Sequence, residues 1–152
     1  MSDTPIIDAV RAYLKNDEWP FEEMENLTGI RSGFQGEHGT WTCVARTHED
    51  DSQLLFYSIL QNEVPEAYRA PVAEFLTRAN YGMRIGNFEM DFSDGEGRYK
   101  TSIDIEGGVV STPMLRNLIG LNVSTMNRYF LGISKVMYGG ATPADAIAEI
   151  EG

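Results

Sequence analysis

VPEAYRAPVAEFLTRANYGMRIGNFEMDFSDGEGRYK, residues 64–100, places a helix directly before a hairpin. Tyr68, Val72, Phe75, Leu76 and Ala79 recur at i, i+4, i+7, i+8 and i+11, which is one face of an α-helix. Burying each large member contributes about 1.5–3 kcal/mol. Pro71 conflicts with a start near Glu66, because past the first turn it removes a bond to Ala67. The sequence therefore predicts a slight kink or a later start, with a stop at Asn80-Tyr81-Gly82. Asp94-Gly95 then favours a two-residue type I′ turn. That turn pairs Ser93 with Glu96, Asp91 with Arg98, Met90 with Tyr99 and Glu89 with Lys100. The charged pairs are opposite in sign and the apolar pair falls on the other face; each is worth roughly 0.2–1 kcal/mol. A one-residue slip would turn Phe88, Met90 and Phe92 to the polar face, so register is strongly specified, although Gly97 is compatible with a bulge and a longer loop.

Upstream, Thr4 is placed to cap a helix running to about Lys15, with Pro5 at its first position and Ile6, Val10, Tyr13 and Leu14 as its stripe. From about Phe21 to Gln61 the pattern is that of about three strands, punctuated by turns at 37–39 and 49–52. In TWTCVARTH, residues 40–48, Trp41, Cys43 and Ala45 share one face, and Thr42, Val44 and Arg46 the other. QLLFYSILQ, residues 53–61, is apolar on both faces, as expected of a central strand or an interface. Downstream, Thr112 is a cap and Pro113 the first residue of a helix with Met114, Leu115, Leu118 and Ile119 on its apolar face. A break or bend is expected between Gly120 and Ser124, before a second stripe of Met126, Tyr129, Phe130, Ile133, Val136 and Met137. A short last helix starts at Thr142-Pro143. The order α-βββ-α-ββ-α(α) implies an α+β fold, an antiparallel sheet of about five strands with helices packed on it.

At 152 residues the chain reads as one domain, 1–152, and buries enough surface to need no staple. Its net charge of −11, from 23 acidic and 12 basic side chains, argues against nucleic acid and anionic membranes as partners. An acidic surface is either simply solvated or a face for a basic partner. The lone Cys43 fits a reducing compartment. The opening MSDTPIIDAVRAYL lacks the features of a signal peptide, and no apolar run approaches the ~18 residues of a membrane span, so the cytoplasm is the expected location.

No residue set reaches a catalytic or cofactor signature, and the expectation is a non-enzyme with no cofactor or metal. His38, Cys43 and His48 are too few for a metal site, which wants three or four converging ligands, unless Glu49, Asp50 or Asp51 join them. A Cys43–His48 nucleophile pair needs an electropositive setting, and the same three carboxylates oppose it. Glu89 and Asp91 share a strand face, as acid/base pairs do, but the register gives them cationic partners. GFQGEHG and GEHGTW lack the context of a phosphate cradle. Trp19, Phe21, Phe34 and Trp41 read as core, or else as an anchor for a partner.

The order of these elements, with QLLFYSIL at 53–60, Val64-Pro65, EFLTRAN at 74–80, GNFEMDFSDGEGRYKT at 86–101 and MYGGATPADAI at 137–147, resembles the YbjN family of bacterial proteins. The resemblance implies a fold similar to type III secretion chaperones, a homodimer, and a role in regulation without established catalytic residues. It suggests a protein-interaction regulator or chaperone-like adaptor, with the second helix and adjoining strands as the dimer surface. Trp41, Leu54, Phe56, Tyr81, Met83 and Ile85 are the candidate partner-binding residues. The alternatives are a small-ligand sensor with an apolar pocket between the second helix and the sheet, and a hydrolase using the acidic residues at 49–51.

Overall fold

The computed structural model describes residues 5–25 and 29–152. Among these residues three helices cover one face of a six-stranded antiparallel sheet and a fourth packs on two of them; the sheet has one strand more than the sequence predicts. The helices are α1 (Ile6–Asn16), α2 (Glu66–Asn80), α3 (Thr112–Tyr138) and α4 (Pro143–Glu151). The strands are β1 (Phe21–Glu23), β2 (Gly29–Gln35), β3 (Thr40–His48), β4 (Gln53–Ile59), β5 (Asn87–Met90) and β6 (Gly97–Asp104), in spatial order β1-β2-β3-β4-β6-β5. The extra strand is β1, only three residues long, too short for a period-2 pattern to show. The doubly apolar strand is β4, and it lies centrally, between β3 and β6.

Several local expectations are corrected. Thr4 lies outside the described residues; Pro5 stands at the N-cap of α1, whose buried residues are Ile7, Val10 and Leu14 rather than a stripe starting at Ile6. Helix α2 starts at Glu66 and continues through Pro71. The carbonyl left over at Ala67 belongs to an exposed residue, where water can satisfy it. Tyr68 is 43% exposed and leaves the stripe, because the first turn of α2 rests on the hairpin loop, where Arg69 donates to the carbonyls of Val64 and Phe92.

The hairpin between β5 and β6 is shifted by two residues from the predicted register. Phe88 pairs with Tyr99, Glu89 with Arg98 and Met90 with Gly97. The loop is four residues long rather than two: Asp91 and Glu96 close it, Gly95 has φ 84°, and Asp91 Oδ1 accepts from the amide and hydroxyl of Ser93. A shift of two preserves the faces, so Glu89 still meets Lys100, now diagonally at 3.7 Å, and Arg98 directly at 2.5 Å.

Helix α3 begins one residue earlier than expected, with Ser111 Oγ accepting from the amide of Met114. It then runs unbroken for 27 residues through Gly120–Ser124. The expected gap holds Asn122, a polar residue in the register of the buried stripe.

Helices and sheet meet in one apolar core: Ile7, Val10 and Leu14 of α1, Val72 and Phe75 of α2, and Leu118, Met126 and Ile133 of α3 against Trp41, Ala45, Leu54, Phe56 and Tyr99 of the sheet. The hairpin turn between β2 and β3 reaches up to α3, where Asn127 Oδ1 accepts from the amide of Glu37. Gly36 and Gly39 permit the approach, since a Cβ there would fall 2.6 Å from Asn127 Oδ1 and 2.5 Å from the Phe130 ring respectively.

Candidate functional site

The middle of the helix–sheet layer holds a closed polar network. Asn122 is 0% exposed. Its amide nitrogen lies 2.9 Å from the carbonyl oxygen of Phe56 and 3.2 Å from those of Tyr99 and the Thr101 hydroxyl. Its Oδ1 accepts from Ser58 Oγ at 2.6 Å, while that hydroxyl accepts from Trp41 Nε1 at 2.9 Å. Thr101 in turn donates to the carbonyl of Leu118. Every donor finds an acceptor, so the network fastens α3 to β4 and β6 rather than offering a reactive group. Cys43 adjoins it, 3.9 Å from Ser58 Oγ. Burial pushes the Cys43 thiol up to about 12, the opposite of what a nucleophile needs, and the Ser58 contact offsets little of this.

The other chemical candidates are employed structurally or kept apart. His38 lies in the turn before β3 and His48 ends that strand, so the nine-residue strand separates them by about 30 Å. Among the described residues no group of three or more His, Cys, Asp or Glu is placed to hold a metal. The Glu49 carboxylate accepts from the amides of Ile6 at 2.8 Å and Ile7 at 3.2 Å, capping α1 from outside. Asp50 and Asp51 flank it in the same short turn. Glu89 is bound to Arg98 and Lys100. Between α2 and the sheet, the rings of Phe75, Tyr129, Phe88 and Tyr99 meet edge to face at 4.8–6.3 Å and fill the space a sensor's pocket would need.

Of the six residues read as partner-binding, the fold brings three inside. Trp41, Leu54 and Phe56 are core side chains, 1–2% exposed, because their strand parity turns them toward the helices. Trp41 stacks on Phe130, and Trp19 and Phe34 continue the row of rings. Tyr81, Met83 and Ile85 lie instead together in the α2–β5 loop. Tyr81 is 92% and Ile85 54% exposed, while Met83 is half-buried against the core. The loop is held in shape by Tyr99, whose hydroxyl donates to the carbonyl of Ile85 at 2.6 Å. Phe92 in the hairpin loop and Tyr68 on α2 add two more exposed rings to this side.

A second surface has the opposite strand parity, which the sequence pattern of β3 already separated. Val44, Leu55, Tyr57 and Ile59 stand outside the core cluster, on the face that carries no helix among the described residues. Val44 and Tyr57 are directly paired and already buried, Tyr57 beneath the Arg98 guanidinium 4.2 Å from its ring centre. Leu55 and Ile59 are half-buried. A shallow groove lies at one corner, lined by Pro20, Phe21, Glu22, Arg31, Gly33 and Thr42, where β1 begins and Gly33 contributes no side chain.

Neither edge of the sheet invites another strand. The β1 edge is short and carries Glu22 and Glu23. At the β5 edge, Asn80 acts as a one-residue strand: its Oδ1 accepts from the Phe88 amide at 2.6 Å and its Nδ2 donates to the Phe88 carbonyl at 3.0 Å.

The sequence pattern of the family described as "Putative bacterial sensory transduction regulator", YbjN, matches residues 7–134. The chain belongs to the YbjN family. Its fold is that of the crystal structure of YbjN from E. coli, with a TM-score of 0.61 at 15% identity, covering 82% of this chain and 90% of that one. A chain of the HopA1–SchA chaperone–effector complex overlaps with a TM-score of 0.47 at 14% identity, over 76% of this chain and 84% of that one. No curated protein sequence matches. This YbjN-family chain has no helix, among its described residues, long and apolar enough to cross a membrane.

Proposed function

We propose that this chain is a non-catalytic regulator that works through protein contacts, as a homodimer closed along the α2–β5 side, in the cytoplasm. The carrying observation is the apolar margin there. Tyr68, Tyr81, Ile85 and Phe92 are four of the seven exposed large apolar residues among those described. Exposed apolar side chains gathered on one side mark interaction sites more than the same residues scattered singly do. The family description fits a regulatory role, and the lone buried Cys43 suits a reducing compartment.

Light scattering over a concentration series tests the dimer. The expected result is twice the chain mass for the wild type and the single-chain mass for Tyr81→Asp/Ile85→Asp, with the melting curve of the variant retained. A wild type that stays monomeric at all concentrations overturns the reading.

A further inference from the structure

The apolar margin along α2 and β5 changes charge from one end to the other. At the start of α2, Tyr68 stands beside the hairpin loop that carries Phe92, and Arg69 ties the two by donating to the carbonyls of Val64 and Phe92. Glu63 and Glu66 flank the entry to the helix, and Asp91, Asp94 and Glu96 lie in the loop, which the Val64 amide binds through the Gly95 carbonyl at 2.8 Å. None of these five carboxylates is in an ion pair among the described residues. The cations beside them are committed, Arg69 to the two carbonyls and Arg98 to Glu89 and the Tyr57 ring. Past the other end of α2, Tyr81 and Ile85 flank Arg84, which is exposed and makes no ion pair among the described residues. Lys100 lies at this end too, opposite Asn87. The carboxylates on the neighbouring elements are already bonded: Glu74 to Arg78 at 2.8 Å, Glu89 to Arg98 and Lys100, and Glu151 to the Tyr129 hydroxyl at 2.6 Å. The margin thus runs from an acidic end to a weakly basic one over about 20 Å, the helical rise from Tyr68 to Tyr81.

We infer, resting on the homodimer proposed above, that two copies lie antiparallel across this margin, about a two-fold axis perpendicular to α2. Arg84 of one copy then faces the partner's Glu66 and the partner's Asp94. Tyr81 and Ile85 pack on the partner's Tyr68 and the partner's Phe92. Two-fold symmetry makes each contact twice. Charge complementarity selects this orientation. An axis running along α2 would set the acidic ends against each other and the basic ends against each other, which costs free energy in both places. The Glu74–Arg78 pair lies between the ends and is neutral as a unit, so it favours neither arrangement.

Charge reversal in two separate chains tests the arrangement. Arg84 and Glu66 are exposed, so reversing either leaves the fold intact, which melting curves verify. Sedimentation equilibrium of the full chain is expected to show dimerisation weakened about tenfold by Arg84→Glu and by Glu66→Arg, since each replaces two attractive contacts per dimer with two repulsive ones. An equimolar mixture of the two variants is expected to regain most of the lost affinity. In the mixed dimer one contact joins the two substituted residues and the other joins the two original ones. Raised salt should shrink both the loss and the recovery. A wild-type dimer that Tyr81→Asp/Ile85→Asp dissociates, but that both reversals leave unchanged or the mixture fails to restore, overturns the antiparallel arrangement and leaves the homodimer standing. A wild type that stays monomeric removes the homodimer itself, and the arrangement with it.

Discussion

Removing the Asn122 side chain is the perturbation whose cost follows most directly from the geometry. In Asn122→Ala, Ser58 Oγ loses the acceptor it reaches at 2.6 Å, and Thr101 Oγ1 loses the donor at 3.2 Å. Both residues are 0% exposed, so water does not replace the missing partner. The Ser58 hydroxyl proton is left unpaired, at about 1–3 kcal/mol, while Thr101 keeps its bond to the Leu118 carbonyl and loses only an incoming donor, at about 1 kcal/mol, so the loss is about 2–4 kcal/mol before any cavity is counted. Each kcal/mol lowers the melting temperature of a domain this size by about 2–4 °C, so a fall on the order of 10 °C is expected. Urea titration with a two-state fit gives the free energy directly. A cycle with Ser58→Ala isolates the pair: the double variant Asn122→Ala/Ser58→Ala should lose clearly less than the two single losses added, because the orphaned hydroxyl is gone. A single-variant loss below about 1 kcal/mol, or strict additivity, refutes the view that this network fastens α3 to the sheet.

Two further predictions concern groups that a catalytic reading would have used. Burial raises the Cys43 thiol to about 12, so the neutral form is favoured in the fold; the resulting stability is complete below the ordinary thiol range and is lost as pH climbs from there toward about 12. Iodoacetamide at pH 8 should therefore label Cys43 only as fast as the chain unfolds, and rapid native-state labelling would contradict its placement. Glu49→Ala should cost about 1 kcal/mol, the usual worth of a helix cap, and should selectively speed hydrogen exchange in α1; uniform exchange across the chain would show that the cap is idle.

The parts of the fold that could be read from sequence are those with one strong period. The nine residues of β3 have the bounds that their pattern gives, with Trp41, Cys43 and Ala45 on one face, and the apolar run of β4 marks the central strand. The helix stripe from Val72 to Ala79 is likewise as read. The errors fall where a tertiary partner overrides the local signal. Asn122 looks like an interruption until the sheet groups that receive it are known. The Asp94-Gly95 dipeptide favours a two-residue turn, but Asp91 captures Ser93 and widens the loop. Of the candidate surface, the loop residues Tyr81 and Ile85 were legible as apolar positions outside any stripe. Trp41, Leu54 and Phe56 read as partner-binding candidates from sequence, because parity says that two residues share a face but not which face the helices cover. The charged residues of the open face come from separate strands, and no window along the chain shows Arg31, Arg46, Arg98 and Lys100 together.

The bond between Glu37 and Asn127 spans 90 positions in the chain, and this separation governs the order of events during synthesis. Strands β1 to β4 are complete at Ile59, whereas α3, which covers the middle of their apolar face, ends at Tyr138, about 80 residues later. At about 5–20 residues per second a ribosome takes roughly 4–16 s to cross that interval. Throughout it Trp41, Leu54 and Phe56 lack the cover of α3 and have only α1 above them, and the β2–β3 turn has no clasp. The nascent chain is thus a half-built sheet for seconds, and the last third of the sequence decides when it stops being sticky.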